Sequence, residues 1–99
     1  MSFVITHPEA LATATSHLNA IGSVLAEQNV AAATATTELP PAAADEVSAL
    51  TATQFSAHAA IYQAVSAQAT AVHEVFTAIL GASAGSYAAT EAANTIAAS

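Results

Sequence analysis

Leu39-Pro40-Pro41, inside the stretch Glu38-Leu39-Pro40-Pro41-Ala42-Ala43-Ala44-Asp45-Glu46, decides how this chain folds. A Pro-Pro pair ends a helix. Neither ring has an N–H to donate, and each Pro drives the residue before it toward extended backbone. On either side lies one long alanine-rich pattern at helical spacing. The chain therefore reads as two helices joined by a turn, and every other feature is placed relative to that turn.

Upstream, Thr6-x-x-Glu9 has the form of a capping box, with Pro8 in the first turn where a missing N–H costs nothing. His7 as the cap, with Pro8 as the first helical residue, serves nearly as well. Either way Glu9 meets the positive end of the helix dipole. From there to about Thr37 only Gly22 seriously interrupts good helix formers. Leu11, Leu18, Ile21 and Leu25 recur with Ala14 and Gln28 at 3,4 spacing. This makes a heptad-like seam, continued weakly by Ala32 and Ala35, with Val24 and Val30 beside it.

Downstream, Asp45 and Glu46 restart the helix at its dipole-favoured end. The pattern runs to Leu80, and Gly81 is the expected stop. Two interleaved stripes share this helix. One is Val47, Leu50, Gln54, Ile61, Val65, Gln68, Val72, Val75 and Ile79. The other is Thr51, Phe55, His58, Tyr62, Val65, Ala69, Val72, Phe76 and Ile79. Together they are wider than one neighbouring helix can cover. Residues 82–99 are small and weakly patterned, and the expectation there is a flexible tail with helical turns around Tyr87 to Asn94.

The expected fold is all-α, a long antiparallel two-helix hairpin over residues 1–81. Helix 1 spans about 8–37, the turn about 38–44 and helix 2 about 45–80, followed by a tail over 82–99. Helices of roughly 30–40 residues would be about 45–60 Å long. A hairpin of that length has one mutual seam and buries little else. Hydrophobic residues make up 55% of the chain, but most are Ala, which buries little area. The hairpin's own core is therefore marginal, and the second stripe calls for cover from a partner.

Charge excludes several function classes. The chain of 99 residues has no Lys or Arg and a formal net charge of -7. Nothing can neutralise phosphates, so nucleic-acid binding is excluded, as is basic attraction to an anionic membrane. There is no Cys, hence no disulfide and no thiolate metal site. Met1-Ser2-Phe3-Val4-Ile5-Thr6-His7-Pro8 lacks the basic and apolar regions of a secretory signal peptide. The longest acid-free run, Val47 to His73, is broken repeatedly by Ser, Thr, Gln and His and does not read as a membrane span.

Catalytic and metal readings are weak. Gly81-Ala82-Ser83-Ala84-Gly85 matches G-x-S-x-G, but a nucleophile elbow needs a strand before it. No His follows Ser83, so a Ser–acid–His order cannot be built. The same residues spell G-x-x-x-G without the apolar 20-mer that a membrane dimer needs. His7, His17, His58 and His73 never fall three or four residues apart, so no helix turn presents two ligands. His58 reads as a polar member of a buried stripe and the other three as surface or cap residues. No cofactor and no metal are expected. On one helix Tyr87 and Glu91 share a face, being four residues apart.

Three separated motifs resemble the mycobacterial PE family. They are Met1-Ser2-Phe3-Val4 with Pro8-Glu9-Ala10-Leu11, the segment Pro40-Pro41-Ala42-Ala43-Ala44-Asp45-Glu46-Val47-Ser48-Ala49-Leu50 (with one Ala more than the family pattern), and Ser86-Tyr87-Ala88-Ala89-Thr90-Glu91. The pair Pro8 and Glu9 is the family's namesake, and Tyr87 and Glu91 match its Tyr-x-x-x-Asp/Glu secretion signal. The resemblance implies a helical hairpin that pairs with a PPE protein in an elongated bundle. It implies export of the folded pair from the cytoplasm by a type VII secretion system, to the cell surface or beyond. The export chaperone would contact the PPE subunit only. It also implies a chain that ends near the domain boundary, without Gly-rich or hydrolase extensions.

The expected partner-interface residues are Leu18, Ile21 and Leu25 on helix 1 with Phe55, Ile61, Tyr62, Val65, Val72, Phe76 and Ile79 on helix 2. Which of them face the partner and which glue the hairpin is left open by the pattern. The function expected is a non-enzymatic secreted interaction protein. The rival is a self-associating surface protein, a homodimeric four-helix bundle.

Overall fold

The structure is a computed structural model that describes residues 5–99. The Met1–Val4 motif lies outside the described residues. Helix α1 spans Pro8–Thr37 and helix α2 spans Glu46–Ala98, and among the described residues there is no strand. The helices hold 30 and 53 residues. At the standard rise α2 is about 80 Å long, which is the longest dimension of the molecule, 80 × 21 × 16 Å. The radius of gyration is 22.8 Å, against about 13 Å for a compact domain of this size. The helices lie antiparallel and side by side. Thr6 reaches Glu91, Leu18 reaches His73 and Asn29 reaches Ser66.

Helix α1 starts with Pro8 as its first residue and His7 as its cap, and no side chain caps it. The capping box does not form. The His7 carbonyl accepts from the N–H groups of Ala10 and Leu11 at 3.0 and 3.2 Å, while the Thr6 hydroxyl donates to Oε1 of Glu91 at 2.9 Å. Pro8 sets the first helical φ without help from a box, which frees Thr6 for the opposite helix. Helix α2 is capped conventionally. Asp45 is extended, at φ -119° and ψ 164°, and its carboxylate accepts from the Ser48 N–H at 2.7 Å. Such a cap contributes about 1 kcal/mol.

Gly81 does not end α2. The helix passes through Gly81 and Gly85 without a break, and residues 82–98 belong to it rather than to a flexible tail. A helical Gly costs about 1 kcal/mol relative to Ala, and tertiary packing outweighs that cost here. A Cβ at Gly81 would lie 3.4 Å from Thr15 Cγ2, and Ala84 is buried one turn further on. Alanine on both sides carries the helix onward.

The seam between the helices is made mostly of small and polar residues, with Leu11, Leu18 and Leu80 toward one end. On α2 it is Ser48, Ala52, Ser56, Ala59, Gln63, Ser66, Thr70, His73, Thr77, Leu80 and Ala84, a 3,4 repeat in which every member is buried or half-buried. On α1 it is Leu11, Thr15, Leu18, Gly22, Ala26, Asn29, Ala33 and Thr37, all half-buried. The buried side chains among the described residues are those of Ala52, Thr77 and Ala84. The heptad seam expected on α1 is therefore only partly the hairpin seam. Leu11 and Leu18 belong to it and Ala14 borders it, while Ile21 and Leu25 are more than half exposed. Small residues win the seam because they let two helices approach closely, whereas a row of Leu and Phe would hold them apart.

Polar bridges fix the register. The Asn29 amide donates to the Ser66 hydroxyl, and its Oδ1 accepts from the Tyr62 hydroxyl at 3.1 Å. Gln63 donates to the Asn29 backbone carbonyl at 3.1 Å. Farther along, His73 Nε2 donates to the Leu18 carbonyl at 2.8 Å. The expectation that His58 is the buried histidine is corrected: His73 lies in the seam, and His58 is exposed. The swap follows from phase, because His73 falls on the inner heptad stripe opposite Gly22.

Candidate partner-binding face

The two stripes expected on α2 lie outside the hairpin seam. Phe55, His58, Tyr62, Val65, Ala69, Val72, Phe76 and Ile79 step by three and four residues along the exposed side of α2. None of them is covered by α1: Val72 is 70% exposed, Phe55 62% and Phe76 55%. Ile61 and Val75 extend the same apolar surface around the helix and are equally exposed. α2 thus carries two heptad repeats, a small and polar one turned to α1 and a bulky one turned to solvent.

Helix α1 adds its own strip to this face. Ile21, Leu25, Gln28, Ala32 and Ala35 also step by four and three. Ile21, Val24, Leu25 and Gln28 line one shallow depression. Ala32 and Ala35 share a groove of about 480 Å³ with Leu39, Phe55, His58 and Tyr62. That groove joins the strip on α1 to the stripe on α2, so both belong to one side of the hairpin. Leu39, from the turn, closes its end.

The other side is more polar. There Asn29, Gln63, Ser66 and Thr70 line one hollow together with Ala26, Val30 and Ala67, and Asn19, Ser23, Thr70, His73 and Glu74 line the next with Gly22 and Ala26. The hairpin is therefore two-faced, with most of the bulky apolar groups on one side and hydroxyls, amides, alanines and a carboxylate, with Val30 among them, on the other. An apolar strip running about 36 Å along α2, from Phe55 to Ile79, exceeds what a monomer ordinarily leaves open to water.

Of the interface residues expected from sequence, Ile21, Leu25, Phe55, Ile61, Tyr62, Val65, Val72, Phe76 and Ile79 are exposed. Leu18 is half-buried at the edge of the seam. Sequence reading missed Ala32, Ala35 and Leu39 as groove walls. Their signal was the weak continuation of the α1 heptad past Gln28.

Tyr87 and Glu91 sit one turn apart on α2, where it passes the start of α1. Tyr87 is 47% exposed. Pro8 and Glu9 form the first turn of α1 at the same end, and His7 Nδ1 lies 3.9 Å from the Glu9 carboxylate. Ser83, the centre of the G-x-S-x-G match, lies within a helix, which removes the strand–turn–helix setting that match requires. Among the described residues no three His, Cys, Asp or Glu side chains gather as a metal ion would need. Among them too, no helix is long and apolar enough to cross a membrane.

Comparison with known proteins finds relatives over nearly the whole chain. The model of the PE family matches residues 4–94. The chain is 59% identical to PE family protein PE13 of Mycobacterium tuberculosis H37Rv over 99 residues, which is 100% of both chains. It is 52% identical over 98 residues to PE family protein PE8 of the same strain, covering 99% of this chain and 36% of that one. It is 57% identical over 94 residues to the PE-PGRS family protein PE_PGRS33, covering 95% of this chain and 19% of that one. A match of this length and identity, carried on a helical hairpin, establishes that the chain belongs to the PE family.

Proposed function

We propose that this chain is a non-enzymatic interaction subunit that forms a heterodimer with a PPE protein and is exported as a folded complex by a type VII secretion system. One observation carries the first half. The bulky heptad stripe of α2 and the Ile21–Ala35 strip of α1 form one apolar side with no intramolecular cover. Burying only four such side chains contributes roughly 6–12 kcal/mol before the costs of association. A pair of partner helices laid along this side would make a four-helix bundle. Leu18, Ile21 and Leu25 with Phe55, Tyr62, Val65, Val72, Phe76 and Ile79 would form its mixed core, with Ile61 at the margin.

The second half rests on Tyr87 and Glu91, which resemble the family's Tyr-x-x-x-Asp/Glu signal and share one exposed helical turn. The export chaperone would engage the PPE subunit, leaving this turn open to the secretion machinery. The destination is the cell surface or the medium.

Expression with and without the partner tests the pairing. Alone, the chain should aggregate or form ill-defined oligomers. With a PPE partner it should elute as a 1:1 complex. A stable, monodisperse monomer by light scattering overturns the proposal. A monodisperse homodimer instead supports the rival reading, a self-associated four-helix bundle, although two copies would bring together chains of net charge -7 with no cation between them.

A further inference from the structure

We propose that Thr6 is a positioning residue for Glu91, so that the export signal has an N-terminal half. The inference rests on the reading of Tyr87 and Glu91 as that signal. Thr6 Oγ1 donates to Glu91 Oε1 at 2.9 Å across a separation of 85 residues. The bond replaces a local alternative, the capping box with Glu9, for which Thr6 has the right residue type and spacing. His7, held out of the helix as its cap before Pro8, places Thr6 alongside α2.

Glu91 has few other options. The chain contains no Lys or Arg, and the nearby His7 ring faces Glu9 at 3.9 Å. Among the described residues the Thr6 hydroxyl is the donor at this carboxylate. A free Glu side chain samples several rotamers, and a receptor that binds one of them must bear the cost of ordering it. The Thr6 bond selects one orientation in advance, one helical turn beyond Tyr87. Glu91 is exposed and Thr6 half-buried, so the carboxylate remains accessible to a receptor. Because an exposed hydrogen bond contributes modestly, its loss should lower recognition by about fivefold rather than abolish it.

The test uses the full chain co-expressed with its partner in a host that carries the secretion system. Three variants are compared: Thr6→Val, which keeps the shape and removes the hydroxyl, Thr6→Ser, which keeps the hydroxyl, and Glu91→Ala. Export is read as the ratio of culture filtrate to cells, and cytosolic complex is read by co-purification. The expected result is no export of Glu91→Ala, about fivefold less export of Thr6→Val, near-normal export of Thr6→Ser, and unchanged complex in all three. Blocked Glu91→Ala with normal Thr6→Val overturns this inference and leaves the signal reading standing. Normal export of Glu91→Ala overturns the signal reading itself and this inference with it. Loss of complex in Thr6→Val, or failure of Thr6→Ser to restore export, shows a purely structural Thr6 and also overturns the proposal.

Discussion

The His73 ring rests on Gly22. Its Nε2 donates to the Leu18 carbonyl at 2.8 Å, and a Cβ added at Gly22 would lie 2.8 Å from that nitrogen and 2.9 Å from Cδ2. Gly22 is therefore a notch and not a defect. α1 passes through it unbroken, and the missing side chain is what lets an imidazole enter the seam at this level.

Replacement of the helical glycines should consequently have opposite signs. Gly85 has open space around its Cβ position, so Gly85→Ala should stabilise the hairpin by about 1 kcal/mol through helix propensity. Gly22→Ala gains the same propensity but displaces the ring and forfeits its hydrogen bond, for a net loss of about 1 kcal/mol. In a His73→Ala background Gly22→Ala should turn stabilising. Thermal unfolding of the assembly in which the chain purifies reads all three. Gly22→Ala melting higher than wild type in the presence of His73 would show that the notch is not used.

Asn29 is the second clasp. Asn29→Ala removes the bonds to Ser66 and Tyr62 together and should cost about 1–2 kcal/mol. Tyr62→Phe removes one of them at an exposed site and should cost about 0.5 kcal/mol. The Gln63 bond goes to the Asn29 backbone and should survive both changes. Chemical denaturation gives the ordering, and an equal cost for the two variants would leave Ser66 with no part in the clasp.

Much of this was legible in the chain. Pro40-Pro41 marks the turn because no helix accommodates the pair, and Pro8 and Asp45 mark the helix starts because their chemistry is local. The bulky stripe of α2 was visible as a surplus over what one helix can cover. What failed was non-local. Gly81 reads as a stop on propensity alone, yet Ala84 and Thr15 hold the helix together across the seam. Thr6 reads as a cap, yet its partner is 85 residues away. Bulky residues are the natural candidates for a seam, so Ile21 and Leu25 read equally as hairpin glue and as partner face, while Ser66, Thr70 and Thr77 do not announce themselves as interior. The inversion becomes visible only when the two helices are set in register.

The two sides of the hairpin should respond differently to an introduced charge. Phe76→Asp places a carboxylate in the apolar stripe, where burial without a partner costs several kcal/mol. Ser23→Asp places one on the polar side, in the hollow shared with Glu74. Pull-down with the partner should lose Phe76→Asp and retain Ser23→Asp. Retention of both would move the interface off this face.

Salt should not weaken the hairpin. With no Lys or Arg in the chain, the contact between a basic side chain and a carboxylate found among the described residues is His7 Nδ1 to Glu9 at 3.9 Å, at the exposed start of α1. Seven acidic side chains repel one another instead. Screening that repulsion should leave the melting temperature unchanged or raise it as salt increases from the millimolar to the molar range. A melting temperature that falls with added sodium chloride would require attractive charge pairs that this sequence does not supply.

The proposed export signal should depend on helical continuity as well as on its two side chains. Tyr87→Ala should leave the complex intact and stop export, because the exposed ring is removed and nothing buried changes. Ala89→Pro is the sharper variant. It keeps Tyr87 and Glu91 but removes an N–H from the turn between them and drives a ring against the Gly85 carbonyl, a cost of about 3 kcal/mol confined to that turn. The kink would rotate Glu91 away from both Tyr87 and Thr6, while the apolar stripe that ends near Ile79 keeps its geometry. Complex should therefore form at wild-type yield in the cytosol and fail to reach the culture filtrate. Normal export of Ala89→Pro would mean that the machinery reads the two residues on an unfolded segment, and the helical turn that carries them would then play no part in recognition.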